Sequence, residues 1–83
     1  MPPIANVTVQ KDIQGGTTIL SQANGTANGN QISVTPAAGG PKWVPLPLFG
    51  HDYYISDGAG QTWRTVCTTP PPNDTGTGHF TAK

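Results

Sequence analysis

Hydrophobic and polar residues alternate near the N-terminus with the period of a β-strand. Within residues 4–10, Val7 and Val9 alternate with polar side chains, so one face of the segment is apolar and the other is polar. Residues 17–21 form a second short run with β-branched side chains, and the glycine-containing segment 11–16 supplies a turn between the two. The pattern predicts a first β-hairpin.

The polar segment QANGTANGNQ, residues 22–31, contains the dipeptide Asn-Gly twice. Asn-Gly favours the positive φ angles of tight hairpin turns, so either copy can connect residues 17–21 to a third strand at residues 31–35. The alternative for the same segment is a polar binding loop that presents amides to a partner.

Prolines dominate the next apolar segment, KWVPLPL, residues 42–48. Proline has no amide hydrogen to donate, so this segment is predicted to be an edge strand or a polyproline-like stretch rather than a central strand. Because it is apolar, extended and short of donors, it is the candidate contact surface. Its residues are Trp43, Val44, Pro45, Leu46, Pro47 and Leu48.

A second hairpin is predicted between residues 53–56 and 61–68. Residues 57–60, Asp-Gly-Ala-Gly, have the composition of a four-residue hairpin loop. In that register Tyr54 faces Trp63 and the two rings form an aromatic pair on one face of the hairpin.

The remaining residues, 69–83, show no pattern that a core would bury, and they are predicted to form an extended arm. Residues 1–68 would then be one small domain. The expected fold is all-β, an antiparallel sandwich or open barrel of about five short strands with extended terminal arms. Cys67 is the only cysteine, which excludes an internal disulfide. A chain of 83 residues has a thin core, so self-association or docking is expected to complete the fold.

Charge is sparse and balanced, with four Lys or Arg residues against four Asp or Glu residues. Nucleic-acid binding needs clustered cations, and the four basic residues are spread along the chain, so no nucleic-acid partner is expected. No apolar run reaches the length of a membrane span, and the start of the chain has no signal-peptide pattern. Cytoplasmic synthesis is the resulting expectation.

Candidate chemistry is limited to a few side chains. Cys67, His51 and Asp52 could act as nucleophile, base and orienting acid, but no nucleophile motif surrounds Cys67, and an apolar strand position explains it better. A metal site could in principle use His51, Asp52, Asp57 and His79, but neither histidine has the spacing of a metal ligand. The expectation is a protein that is not an enzyme and needs no metal or cofactor.

Four of the six aromatic residues, Trp43, Tyr53, Tyr54 and Trp63, fall within a short central segment. Such rings can stack on sugars, or they can fill a core or an oligomer interface, where Trp and Tyr are enriched. The second interpretation is favoured because the chain has little else to bury. All four are therefore grouped with residues 44–48 as candidate partner-binding or oligomer-interface residues.

The phrase SDGAGQTW, residues 56–63, resembles a degenerate Asp-box, the hairpin signature of sialidase-like propellers. Ser56, Gly60, Thr62 and Trp63 match the box, whereas Gly58 occupies the position of its Asp and the acid lies one residue earlier. In that family the box is a structural turn. The resemblance implies the same role here for Ser56, Asp57, Gly58, Gly60 and Thr62.

In overall character the chain resembles small bacteriophage capsid decoration, or cement, proteins. The shared traits are a short strand after a start without a signal sequence, abundant Thr, Gly, Asn and Pro, little charge and loose terminal arms. The resemblance implies a structural protein that docks on a larger protein surface such as a viral capsid, forms a dimer or trimer, and resides in the virion or, before assembly, in the cytoplasm. The alternatives are a lectin-like carbohydrate-binding module and a protein inhibitor that inserts residues 22–31 or 45–52 into an enzyme.

Overall fold

The computed structural model describes residues 2–83, which form six antiparallel strands that close into a barrel. The all-β prediction is confirmed, with a closed barrel in place of the open one and six strands in place of five. No helix within residues 2–83 is long and apolar enough to cross a membrane. The strands are β1 (Pro3–Lys11), β2 (Thr18–Asn28), β3 (Gln31–Thr35), β4 (Asp52–Ser56), β5 (Thr62–Thr69) and β6 (Gly78–Ala82), in the order β1-β2-β3-β6-β5-β4 around the barrel.

The core lies inside the barrel and draws on all six strands. Val7 and Val9 of β1 are fully buried, as their alternation predicts, and the other strands add inward side chains in the same way. A fully buried aliphatic or aromatic side chain contributes roughly 1.5–3 kcal/mol relative to an exposed one. The buried apolar residues are Ile4, Val7, Val9, Ile19, Leu20, Ala23, Ile32, Val34, Trp43, Tyr53, Ile55, Cys67 and Phe80.

Three register shifts interrupt the β1–β2 pairing and bend the first hairpin so that a short sheet can close. Asn6 in β1 and Gln22 in β2 have positive φ angles of 55° and 56°, and they lie at the first two of these shifts. A bulge increases the local twist of a strand, which curls the sheet toward closure. The C-terminal half of β1 is thereby brought against β4, with Val9 opposite Ile55.

The β2–β3 hairpin closes at the second Asn-Gly dipeptide, but its two-residue loop is Gly29-Asn30, with Gly29 at φ +60°, while Asn28 is still in β2 and pairs with Gln31. The first copy lies inside β2, where Gly25 pairs with Val34. A Cβ at Gly25 would collide with the carbonyl oxygen of Ser33, so glycine is needed for this close approach of strands. Residues 22–28 are therefore strand, and the polar binding loop proposed for them is absent.

The β4–β5 hairpin differs by one residue from the predicted register. Trp63 lies opposite Ile55 instead of Tyr54, and it points toward the core while Tyr54 points to the outer wall. The predicted pair of Tyr54 with Trp63 is therefore wrong. The physical reason is the loop, which has five residues, 57–61, instead of four, and a shift of one residue exchanges the two faces of a strand.

The C-terminal segment is part of the barrel and not an extended arm. β6 pairs with β3 on one side and with β5 on the other, so the single domain includes residues 69–83. Phe80 is fully buried and packs edge-on against Tyr53, with ring centroids 5.7 Å apart. An isolated Phe in a stretch of Thr and Gly gives no periodic signal, although its burial helps fill the barrel.

Candidate interaction site

A long loop, residues 36–51, connects β3 to β4 across one end of the barrel. Trp43 inserts from this loop into the barrel end and is 2% exposed. Its ring lies against Phe80, with centroids 6.2 Å apart, and its Nε1–H donates to the carbonyl oxygen of Gly76 at 2.8 Å. Trp43 therefore plugs one end of the barrel and anchors the loop at its middle.

Backbone hydrogen bonds fasten the same loop on two sides. The N–H of Trp43 donates to the carbonyl of Asp74 at 3.0 Å, and the N–H of Val44 donates to the carbonyl of Ile19 at 2.9 Å. Further along, the N–H of Leu48 donates to the phenol oxygen of Tyr53 at 2.8 Å. The loop is held in one shape although it contains no regular secondary structure.

Residues 44–49, which we call the apolar strip, expose most of their side chains. Pro45 and Leu46 are exposed, and Pro47 turns inward and is buried. The exposed fractions are 71% for Val44, 55% for Leu48 and 72% for Phe49, and no charged residue occurs between Lys42 and His51.

Ile13, in the turn after β1, is also exposed, by 68%. This turn lies at the same end of the barrel as the apolar strip, since the N–H of Asp12 donates to the carbonyl of Asp52 at 2.9 Å. Within residues 2–83, all the exposed large hydrophobic side chains thus lie in two loops at one end of the barrel. Concentration of exposed apolar side chains in one place is typical of an interaction surface.

A groove separates the apolar strip from the barrel wall. It is an open groove with a volume of about 210 Å³, and its lining is almost entirely carbon. The lining residues are Lys11, Thr17, Ile19, Pro45, Leu46, Leu48 and Tyr53.

The polar rim of the groove centres on Lys11. Its Nζ lies 3.2 Å from Nδ1 of His51, 3.3 Å from Oδ1 of Asp12 and 4.9 Å from the centroid of the Tyr53 ring. These contacts hold the amine at the edge of the groove, where its charge stays in contact with water and its methylenes cover the apolar wall.

The turn at residues 57–61 lies at the opposite end of the barrel and is built around Asp57. Its Oδ1 accepts hydrogen bonds from the backbone N–H groups of Ala59 at 3.1 Å and Gln61 at 2.8 Å. Its Oδ2 accepts a hydrogen bond from the side-chain Nε2–H of Gln61 at 3.0 Å. Desolvation raises the pKa of Asp57, but these hydrogen bonds together outweigh it and hold the pKa below its ordinary value of 3.8.

Glycines complete this turn. Gly60 has a φ of +88°, which a side chain rarely adopts, and the N–H of Gly58 donates to the carbonyl of Ala5 at 2.9 Å. Ser56 and Thr62 pair at the base of the turn. The turn joins two strands and contacts β1, which is the structural role that the Asp-box resemblance implies.

The structure separates the residues predicted as partner-binding into three groups. Trp43, Pro47 and Tyr53 are buried, so they support the site from inside and do not form a contact surface. Val44, Pro45, Leu46 and Leu48 are exposed together in the apolar strip. Tyr54 lies on the outer wall, and Trp63 is half-buried near the opposite end.

Two exposed residues of this end, Phe49 and Ile13, were not among the predicted interface residues, although Phe49 lies in the segment 45–52 considered as an inhibitor loop. Phe49 directly continues the apolar run of residues 43–48, so the run itself is a signal for it. Ile13 lies among polar turn residues, and no local pattern distinguishes it from a buried isoleucine.

The four central aromatic residues do not share a surface. Trp43 and Tyr53 fill the core, and Tyr54 points away from Tyr53 because the two are neighbours in β4. Tyr54 lies opposite Arg64 on the outer wall, where a cavity of about 200 Å³ also contains Asp52 and Lys83, whose charged atoms are 3.0 Å apart. A sugar platform of several rings, as considered from the sequence, is thus not formed.

Cys67 does not meet the residues proposed to activate it. Its side chain is fully buried inside the barrel, whereas His51 is exposed, although the N–H of Cys67 donates to the carbonyl of His51 at 3.0 Å. Burial raises the pKa of the Cys67 thiol, and a hydrogen bond from the backbone of Thr69 offsets only part of that increase. Within residues 2–83, no three His, Cys, Asp or Glu side chains lie close enough to hold a metal ion.

Comparisons of this chain with protein-family models, curated proteins and solved structures found no match.

Proposed function

We propose that this protein is a non-enzymatic assembly protein that docks on a larger protein surface through the apolar strip. The observation that supports the proposal is the concentration of exposed Val44, Leu48 and Phe49 at one end of the barrel, next to an apolar groove. Full burial of one such side chain contributes roughly 1.5–3 kcal/mol, so a partner that covers the strip gains several favourable contacts at once.

The rigidity of the strip strengthens this proposal. Trp43 anchors one end of it, the phenol of Tyr53 holds Leu48, and the prolines at positions 45 and 47 restrict φ. Ordering a loop on binding costs conformational free energy, and a loop that is already ordered avoids most of that cost. A loop that only connects two strands would not need these hydrogen bonds and prolines to hold its shape.

The charge distribution favours a protein as the partner. The formal net charge is zero and the strip itself carries no charge, so the contact is apolar and gains little from electrostatic attraction. Among assembly proteins we propose the capsid decoration class, on the resemblance of overall character. In that setting the strip would contact a repeated surface of a viral shell.

Site-specific photo-crosslinking tests the proposal. Benzoylphenylalanine is placed at Phe49 or at Leu48 in the full chain, and the matched control carries it at Asn30, an exposed residue of the β2–β3 turn at the opposite end. We expect ultraviolet-induced adducts with a protein in the producing cells or virions at positions 48 and 49, and none at position 30. Equal labelling at all three positions, or no adduct with a folded protein, would refute docking through the strip.

A further inference from the structure

We propose that Asn28 is a site of spontaneous covalent modification, at which its side-chain amide reacts with the backbone nitrogen of Gly29 and is then hydrolysed to aspartate or isoaspartate. The site lies where β2 enters the β2–β3 turn, at the end of the barrel opposite the apolar strip. This inference is independent of the docking proposal, because it concerns other residues at the other end of the molecule.

The reaction needs only the chain and water. The backbone nitrogen of the residue after asparagine attacks Cγ of the side chain, so that a C–N bond forms and the bond from Cγ to Nδ2 breaks. Nδ2 leaves as ammonia with the proton of the attacking N–H, and a succinimide ring remains. Water then opens the ring, at the side-chain carbonyl to give aspartate or at the backbone carbonyl to give isoaspartate. No electrons are transferred, and such reactions help make asparagine a thermolabile residue.

Three dipeptides of the chain have the sequence that this chemistry favours. They are Asn24-Gly25, Asn28-Gly29 and Asp57-Gly58, and in each of them glycine offers the attacking nitrogen without a side chain to obstruct it. Aspartate reacts in the same way, with loss of water in place of ammonia. Both asparagines also follow an alanine, so the preceding residue does not distinguish them, and the difference in reactivity comes from the fold.

The first Asn-Gly dipeptide is fixed inside the sheet. Gly25 pairs with Ile4 of β1 and with Val34 of β3, so strands flank it on both sides. An added Cβ at Gly25 would collide with the carbonyl of Ser33, which shows how little space surrounds this backbone. Attack requires rotation about the Cα–C bond of Asn24, and this rotation displaces the peptide group of Gly25 from both pairings. The sheet must therefore open before Asn24 can react.

Hydrogen bonds protect Asp57-Gly58. The N–H of Gly58 donates to the carbonyl of Ala5 at 2.9 Å, which directs the attacking nitrogen toward β1. Both carboxylate oxygens of Asp57 accept hydrogen bonds within the turn, from Ala59 and Gln61. Such bonds favour the ionised carboxylate, which is a poor electrophile. Neither of the two reacting groups is therefore free.

Asn28-Gly29 has none of these restraints. Both residues are exposed, and an added Cβ at Gly29 would meet no atom within 4 Å. Among residues 2–83, none accepts a hydrogen bond from the N–H of Gly29. Asn28 is the last residue of β2, so rotation about its Cα–C bond displaces a turn and not the middle of a strand. Local movement of a turn costs much less free energy than opening of a sheet, so this dipeptide can reach the reactive geometry in the folded protein.

The modification changes both the charge and the backbone of the turn. Each conversion replaces a neutral amide with a carboxylate, so a chain of zero formal net charge acquires one negative charge. Isoaspartate also lengthens the backbone before Gly29 by one carbon atom. Asn28 pairs with Gln31, and the carbonyl of Asn30 accepts the N–H of Ala82 at 2.7 Å. The longer backbone therefore disturbs the contacts that join β2, β3 and β6 at this end.

Tandem mass spectrometry of peptide digests measures the conversion at each asparagine separately. The full folded chain is incubated in mildly alkaline buffer, and samples are digested at successive times. We expect Asn28 to convert at least about tenfold faster than Asn24, because a turn opens locally more often than the interior of a sheet. Isoaspartyl methyltransferase, which methylates isoaspartate, should label the peptide that contains residue 28.

The same chain unfolded in guanidinium chloride is the matched control, because both Asn-Gly dipeptides then lose their structural environment. We expect similar rates at Asn24 and Asn28 there. Asn28→Gln should abolish the fast conversion of the folded chain, since the longer side chain would have to close a larger ring, whereas Asn24→Gln should leave it unchanged. A rate at Asn28 no higher than that at Asn24 in the folded chain would overturn the proposal, as would conversion of Asn28 in the unfolded chain alone.

Discussion

Trp43 is predicted to be the residue on which both the barrel end and the apolar strip depend. Trp43→Ala removes a large buried ring and leaves a cavity beside Phe80, which typically costs about 3–5 kcal/mol. It also removes the Nε1–H that donates to the Gly76 carbonyl, and losing this part-buried hydrogen bond adds about 0.5–1.5 kcal/mol. A domain of 83 residues has a total stability of roughly 4–12 kcal/mol, so the variant should be near the limit of folding.

Trp43→Phe divides this effect into two parts. It retains an aromatic ring against Phe80 but loses the donor and part of the volume, so we expect a loss of about 1–3 kcal/mol. Val44→Ala is the control, because the neighbouring side chain is mostly exposed and should change stability by less than about 0.5 kcal/mol.

Urea unfolding followed by far-ultraviolet circular dichroism measures these differences, and Trp63 remains as a fluorescent probe in every variant. Limited proteolysis of folded Trp43→Phe should also cleave within residues 36–51 faster than it cleaves wild type. A Trp43→Ala variant within about 1 kcal/mol of wild type, with an uncleaved loop, would show that Trp43 does not anchor this end of the barrel.

Three further outcomes are expected. Tyr53→Phe should lower the free energy of unfolding by about 1–3 kcal/mol and speed hydrogen exchange of the Leu48 amide, because it removes the phenol oxygen that accepts a hydrogen bond from that amide. An unchanged exchange rate would contradict this. Deletion of residues 78–83 should abolish the fold in circular dichroism and NMR, since it removes β6 and exposes the edges of β3 and β5, whereas a folded product would restore the extended-arm interpretation. The pKa of Asp57 is lower in the folded protein than its ordinary value of 3.8, so ionised Asp57 stabilises the fold above pH 3.8, and this stability is lost as the pH falls through the folded pKa. The urea midpoint should therefore decrease more between a pH above 3.8 and a pH below it in wild type than in Asp57→Asn, and an equal decrease in both would contradict this.

Local sequence was sufficient to predict the structure of segments whose conformation depends on a few consecutive residues. The alternation of Val7 and Val9 predicted β1, and the prolines at 45 and 47 predicted that their segment is not a regular central strand. These outcomes depend on side-chain period and on amide donors, which are properties of a few consecutive residues.

Long-range contacts decided what local sequence could not. Phe80 has no apolar neighbours in sequence, yet it fills the barrel because β6 lies between β3 and β5. By contrast, the register of β4 and β5 is a local matter: the five-residue loop 57–61, in which Asp57 accepts two hydrogen bonds from Gln61, shifts the pairing by one residue and so exchanges the faces of Trp63 and its neighbours.

The candidate site shows the same division. The sequence by itself determined that the segment around residues 43–48 is apolar, poor in donors and unsuited to a central strand. Only the tertiary structure decided that Trp43 and Pro47 face inward while Val44 and Leu48 face solvent. The reason is that composition sets how much apolar surface a segment carries, whereas closure of the barrel sets how much of it the core can cover.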